Sequence, residues 1–353
     1  MTTASRTTPL SSLLPGLLLT LLLAGLALWS SDFALMQQWG LSALTLAIVF
    51  GMLLGNTVFP RLGPSCGAGV GFAKARLLRL GIILYGFRLT FQQIGDVGVG
   101  AILIDALVLT TTLVLAYQLG TRWLKLDRTT ALLIGSGSAI CGAAAVLAAE
   151  PVVKAAPSKV TIAVSTVVVF GTIAMFVYPL LYPLAQQLGL VTSPQAFGVY
   201  TGSTIHEVAQ VVAAGNQISP AVADTAVITK MIRVMMLAPF LLFVSVWFDR
   251  GAQAQHGHKP RITIPWFALL FIVMAGVNST GLVPHALVER LVQLDTVLLA
   301  MAMAALGLDT RATAIRQAGL KPLLLATVLF GYLVFGGAAI NLGIRALIAG
   351  SGL

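Results

Sequence analysis

"TGSTIHEVAQ", residues 201–210, lies between stretches that are almost purely apolar. It holds a histidine, a glutamate and a glutamine among glycine and hydroxyl residues. The neighbouring segments carry mostly valine, alanine and leucine. In lipid, His206 and Glu207 would each cost on the order of a few kcal/mol, so such groups face protein or a water-filled cavity. The reading of this stretch decides between a plain bundle of spans and a fold with interrupted helices.

The surroundings are membrane-like. Of 353 residues, 58% are hydrophobic and only 9% are charged. Mean hydropathy is +0.96. A soluble domain carries about 25% charged residues, and so few charges cannot cover a water-exposed surface. The chain reads as an integral membrane protein. The net charge of +10 does not indicate nucleic acid, because Lys and Arg cluster in short loops between apolar runs rather than in a basic stripe. Cys66 and Cys141 have no CxxC partner, so no disulfide framework is expected. The apolar run after Arg6 is long and lacks a small-residue cleavage site, so it reads as a retained first span.

A span needs about 20 apolar residues. Candidates lie near 13–30, 40–59, 68–88, 96–119, 129–149, 159–186, 196–215, 221–248, 262–280, 286–307 and 320–349. This gives an all-α polytopic protein of about 10–11 transmembrane helices. Strand alternation is absent, which excludes a β-barrel. Four basic loops fix orientation: Arg61 to Arg79, Arg122 to Arg128, Arg250 to Arg261, and Arg311 to Lys321. With the N-terminus in the cytoplasm all four lie inside, and the C-terminus lies outside. The Lys154–Lys159 loop dissents if every segment crosses. It moves inside if 129–149 and 196–215 each turn back. These two segments are therefore either broken spans or re-entrant, and both alternatives stand at the level of sequence.

The same two segments resemble each other. "GSAICGAAAV" (137–146) aligns with "GSTIHEVAQV" (202–211). A second echo joins "GFRLTFQQIGDVG" (86–98) to "GLDTRATAIRQAG" (307–319). Inverted repeats with interrupted helices at mid-membrane are a common transporter build.

Gly135, Ser136, Gly137, Ser138 and Gly142 crowd one stretch of the first segment. Glycine in a helix interior costs about 1 kcal/mol. Such a cluster means either close helix packing or an unwound stretch whose amides and half-helix N-terminus face an anion. Gly202, Ser203 and Thr204 are the counterparts in the second. Were residues 201–210 helical, Ser203, His206, Glu207 and Gln210 would share one polar face. Lys230 and Arg233, three apart, fall roughly 15 Å along their span. That is too deep for easy snorkelling, so they need a counter-charge such as Glu207, Asp224 or an anionic substrate. Asp105 lies among apolar neighbours and would pair with a cation or relay protons. Asp295 is ambiguous, Asp309 reads as a loop residue, and His256 and His258 as bystanders. "HEVAQ" lacks the second histidine of a zincin, since position 210 is Gln, and no metal site or cofactor is expected. A serine hydrolase pairing Ser136 or Ser138 with His206 has no spacing to support it.

"GSGSAICGAAAV", "YTGSTIHEVAQVVAAG", "ADTAVITKMIRVMMLAP" and "LAMAALGLDT" together resemble the YeiH-like bacterial inner-membrane family, UPF0324, whose members are labelled sulfate exporters. The resemblance spans about residue 40 to the end. It implies a bacterial inner-membrane transporter akin to bile-acid symporters and sodium/proton antiporters, with two inverted repeats. The chain would divide into an extra first span (1–39) and halves 40–190 and 191–353. The expected function is secondary transport of a small anion such as sulfate. Gly135–Ser138, Gly142, Gly202–Thr204, Lys230 and Arg233 would bind it. Asp105, His206, Glu207 and Gln210 would couple H⁺ or Na⁺, or gate. No P-loop is present, so the energy comes from a gradient. Competing readings are a cation-coupled carboxylate importer, an intramembrane hydrolase and a channel. Beyond the substrate and the lipid bilayer, a homodimer is left open.

Overall fold

The computed structural model describes residues 10–33, 36, 42–249, 266–310 and 319–351. Every regular element among them is helical. The helices are α1 (Leu10–Ser31), α2 (Ala43–Thr57), α3 (Phe59–Phe72), α4 (Leu78–Tyr85), α5 (Phe91–Gln118), α6 (Arg128–Ala139), α7 (Ala143–Val153), α8 (Pro157–Gln187), α9 (Pro194–Thr204), α10 (Val208–Ile218), α11 (Pro220–Met235), α12 (Leu237–Asp249), α13 (Trp266–Ser279), α14 (His285–Asp309) and α15 (Leu320–Ser351). Six helical stretches among the described residues are long and apolar enough to cross a membrane: 11–31, 97–123, 158–187, 220–247, 285–309 and 320–348. Each expected segment coincides with a helix or a helix pair. The chain is a polytopic helical membrane protein. The loops carrying Arg250, His256, His258, Lys259 and Arg261, and Arg311 and Arg316, lie outside the described residues, as does most of the 307–319 echo.

The chain forms two compact units. The first takes residues 1–88 and 270–312. Its α2 and α14 touch through glycines: a Cβ on Gly51 would strike the carbonyl of Ala304, and one on Gly307 that of Ile48. Small residues let membrane helices approach this closely. Lys74 pairs with Asp309 at 2.6 Å, so Asp309 ends α14 as an ion-pair partner rather than as a bare loop residue. Buried Asp295 accepts from Arg88 Nε at 2.7 Å. Arg88 also donates to Thr296 at 2.7 Å and lies 5.0 Å from the Tyr85 ring centre.

The second unit takes residues 89–269 and 313–353. Its long helix α8 has 31 residues, about 46 Å at 1.5 Å per residue. The helix α6 runs beside α8 in the same direction. Asp127, the N-cap of α6, pairs with Lys159 in the first turn of α8 at 2.7 Å, and further along a Cβ on Gly137 would meet Val167. Only residues 154–156 separate α7 from α8. So α7 must end where α6 begins, and the pair is a hairpin that enters and leaves on one side.

The second pair does the same from the other end. Gly198 packs on Val222 and Thr225, and Gly202 on Ala226 and Thr229, so α9 runs parallel to α11. Gly215 packs on Ala223 across the single residue Ser219, so α10 runs antiparallel to α11. Hence α9 and α10 are opposed arms. Tyr182 stacks edge-on against Phe197 with ring centres 5.0 Å apart, and Tyr178 donates to Thr204 at 2.8 Å. This hairpin therefore enters at the C-terminal end of α8, opposite the first. Each arm has 11 or 12 residues, about 17 Å, roughly half of a hydrocarbon core of about 30 Å. Neither arm alone is long enough to cross such a core. The re-entrant alternative holds for both segments, and Lys154 and Lys159 sit at the same end as Arg122, Lys125 and Arg128.

Local chemistry prepares these hairpins. Asp127, Ser193 and Ser219 cap their helices with side-chain oxygens, and Pro194 and Pro220 occupy the first helical position. At the first tip Gly142 has φ 74° and ψ −136°, a backbone closed to other residues. At the second, Ile205 (ψ 148°) and Glu207 (ψ 150°) are extended.

Candidate functional site

The two tips meet, and α11 ties them together. Lys230 Nζ donates to the carbonyls of Ile140 at 2.8 Å and Ile205 at 2.6 Å. Arg233 donates through Nε to Ala139 at 2.6 Å, through one terminal nitrogen to Ser138 at 3.2 Å, and through the other to Ser203. Both side chains are fully buried. The physical cause is plain. The last carbonyls of a helix have no intrahelical partner and carry partial negative charge. Two half-helices end buried in the protein, where water cannot serve them, and two cations from one helix serve both.

The first sequence echo is realised here position by position. Ile140 and Ile205 are aligned in it, and both accept from Lys230. Ser138 and Ser203 are aligned, and both accept from Arg233. Gly142 and Glu207, also aligned, begin the returning arms α7 and α10.

Other expected site residues divide by what they touch. Asp105 on α5 is fully buried, neither carboxylate oxygen has a hydrogen-bond partner, and the charges of Arg233 and Lys230 act on it. Glu207 Oε1 accepts from the Ala143 amide of the opposite hairpin at 3.2 Å. Gln210 accepts the Glu207 N–H at 3.0 Å, and its own Nε2 is unpartnered. His206 is buried with Nδ1 unpartnered. The shared helical face expected for Ser203, His206, Glu207 and Gln210 is not formed, because the extended residues 205 and 207 end α9 and start α10 afresh. The glycines serve packing: Gly135 against Ala116 of α5, Gly137 against Val167, Gly202 against α11. Ser136 donates back to Leu132 at 2.7 Å, not to His206, which removes the hydrolase pairing for that serine. Asp224 lines a cavity; the carboxylates that act on Lys230 are Asp105 and Glu207.

Sequence reasoning missed Asn341 of α15, which donates to Ser203 Oγ at 3.2 Å and keeps an unpartnered buried Oδ1. It also missed Tyr178, whose hydroxyl reaches Thr204. A polar residue inside the last apolar run was the available signal for Asn341. A cavity of about 790 Å³ opens where α9 and α11 begin, with Gln93, Ser193 and Arg345 at its rim. It extends to Ile104, beside Asp105, and to Ile228, two residues before Lys230.

Fold and site define a class: a helical membrane protein in which two opposed re-entrant hairpins meet at buried charges. The family described as "Conserved hypothetical protein 698" matches residues 15–326, and the chain belongs to it. The chain is 58% identical to the "UPF0324 inner membrane protein YeiH" of Escherichia coli (strain K12), over 95% of each chain. It is 58% identical to a UPF0324 membrane protein of Pseudomonas aeruginosa over 92% of each, and 57% to one of Yersinia pestis over 96% of this chain and 94% of that one. No solved structure matches significantly.

Proposed function

We propose that the protein is a secondary transporter of a small inorganic oxyanion, such as sulfate, across the bacterial inner membrane. The observation that carries the reading is the meeting of two half-helix pairs at fully buried Lys230 and Arg233. Buried ionisable groups on irregular backbone at mid-membrane are the usual build of a transport site. Lysine has three donors and arginine five. Two and three are spent on carbonyls, which leaves donors for an anion. Five basic loops lie inside if the N-terminus is cytoplasmic, and the cavity then opens toward the periplasm. The relatives named as inner membrane proteins agree with this location. Export as a direction rests on the label of the resembled family.

A second reading keeps the architecture and changes the cargo: a carboxylate importer coupled to H⁺ or Na⁺. The unpartnered oxygens of Asp105 favour it as a coupling site. Labelled-sulfate counterflow in proteoliposomes separates the two. Saturable flux stimulated by sulfate on the far side supports the oxyanion reading. Flux of carboxylates alone, rising with sodium or with a proton gradient, would replace it.

A further inference from the structure

Glu207 reaches out of its own hairpin. Its carboxylate caps α10 by accepting the Gln210 backbone N–H, and Oε1 also accepts the Ala143 N–H of α7. That amide belongs to the first turn of an 11-residue helix, whose leading donors have no intrahelical partner and favour anions. Gly142 makes the room, since a Cβ there would strike the Glu207 side chain. A carboxylate of one hairpin thus occupies an oxyanion seat on the other.

Unused polar atoms lie on the residue before Glu207 and on Gln210, three residues after it. Gln210 is fully buried; its Oε1 takes the Glu207 N–H and its Nε2 has no partner. His206, 1% exposed, has an unpartnered Nδ1. Buried polar groups are nearly always paired, so unpaired ones on the residues around Glu207 point to a ligand with further oxygens.

We propose that Glu207 is a tethered stand-in for the transported oxyanion. It holds the Ala143 amide while the site is empty. One proton binds the carboxylate as it swings away, and a sulfate-like anion takes the amide, with Gln210 Nε2 and His206 Nδ1 as added donors. This deepens the anion-transport reading and rests on it. The groups that surround the seat are Lys230 and Arg233 from α11, Cys141 and Glu207 from the tips, His206 beside Glu207, and Asp105 from α5 through Lys230. From α8 the Tyr178 hydroxyl reaches Thr204 at the end of α9. Asp105 and His206 are therefore the rival sources of any pH dependence.

The test is equilibrium binding of radiolabelled sulfate to the full-length protein in nanodiscs, from pH 5 to pH 8.5. Sulfate stays fully ionised across this range. Wild-type affinity should fall with rising pH, approaching tenfold per unit once Glu207 is ionised, as one-proton linkage requires. Glu207→Ala and Glu207→Gln should bind with a flat profile near the wild-type affinity at pH 5. Asp105→Asn and His206→Gln should keep the slope, whatever their affinity. A flat wild-type profile, or a slope that survives Glu207→Ala, overturns the stand-in role and leaves anion transport intact. No sulfate binding by wild type at any pH overturns the transport reading itself.

Discussion

Buried carbonyls at the ends of α6 and α9 give Lys230 and Arg233 a structural duty beside any transport role. Each cation acts as a counter-ion attached to the fold. A Lys230→Met substitution keeps the volume and strands the carbonyls of Ile140 and Ile205. A buried unpaired carbonyl costs about 1–3 kcal/mol. The thermal unfolding midpoint in detergent should drop clearly, and an unchanged midpoint would mean that these bonds contribute little. Gly142 is a second such position. Alanine there meets both a forbidden backbone and the Glu207 side chain. Gly142→Ala should destabilise by roughly 1–3 kcal/mol, against little change for Gly71→Ala, which has open space. At this scale the sequence singled out Lys230 and Arg233 as buried cations but not their partners. Lys230 and Arg233 stood out by depth, yet their carbonyl acceptors lie some 25 to 95 residues away and carry no side-chain signature. Arg88 escaped notice because it sits at the end of an apolar run, and only the fold brings Asp295 to it.

Helices were legible because lipid demands long apolar runs. Most segments were placed within a few residues of the observed bounds, but the one expected at 68–88 begins nine residues earlier, at Phe59. The turning back of two of them was not, because an arm of 11 residues looks the same whether the chain crosses or returns. Pairings such as Gly198 with Val222, or Asp127 with Lys159, decide it, and these are long-range facts. The loop charges did hint at the answer, through the one dissenting loop. Hairpin anchoring is testable at Asp127. Burial pushes its carboxyl up, but Lys159 and the hydroxyl and amide of Thr130 outweigh this and hold it below the ordinary 3.8. A depressed carboxylate stabilises fully above its unfolded value and loses that contribution as pH falls through the lower folded value. Protection of the α6 amides, measured by hydrogen exchange with intrinsic rates removed, should therefore weaken below about pH 4. Asp127→Asn, which keeps the cap and loses the ion pair, should flatten that change. Retained protection at low pH in wild type would refute the anchor.

If each of the nine apolar segments besides the two hairpins crosses, the number of crossings is odd and the termini would fall on opposite sides. The five basic loops would then share one side, which the orientation rule would make the cytoplasm. Single cysteines introduced into a chain with Cys66 and Cys141 replaced by alanine test this directly. Cysteines at Arg122 and Lys154 bracket the first hairpin, and those at Ser193 and Ser219 bracket the second. In intact cells a membrane-impermeant maleimide should label positions 193 and 219 from outside. Positions 122 and 154 should react only in inverted vesicles. Labelling of 122 and 154 from opposite sides would make the first segment a true span. It would also return Lys154 and Lys159 to the outer face against the charge rule, and bring the crossing number to ten or eleven. The geometry argues against that outcome, because three residues cannot carry the chain from the far end of α7 across the membrane to the start of α8.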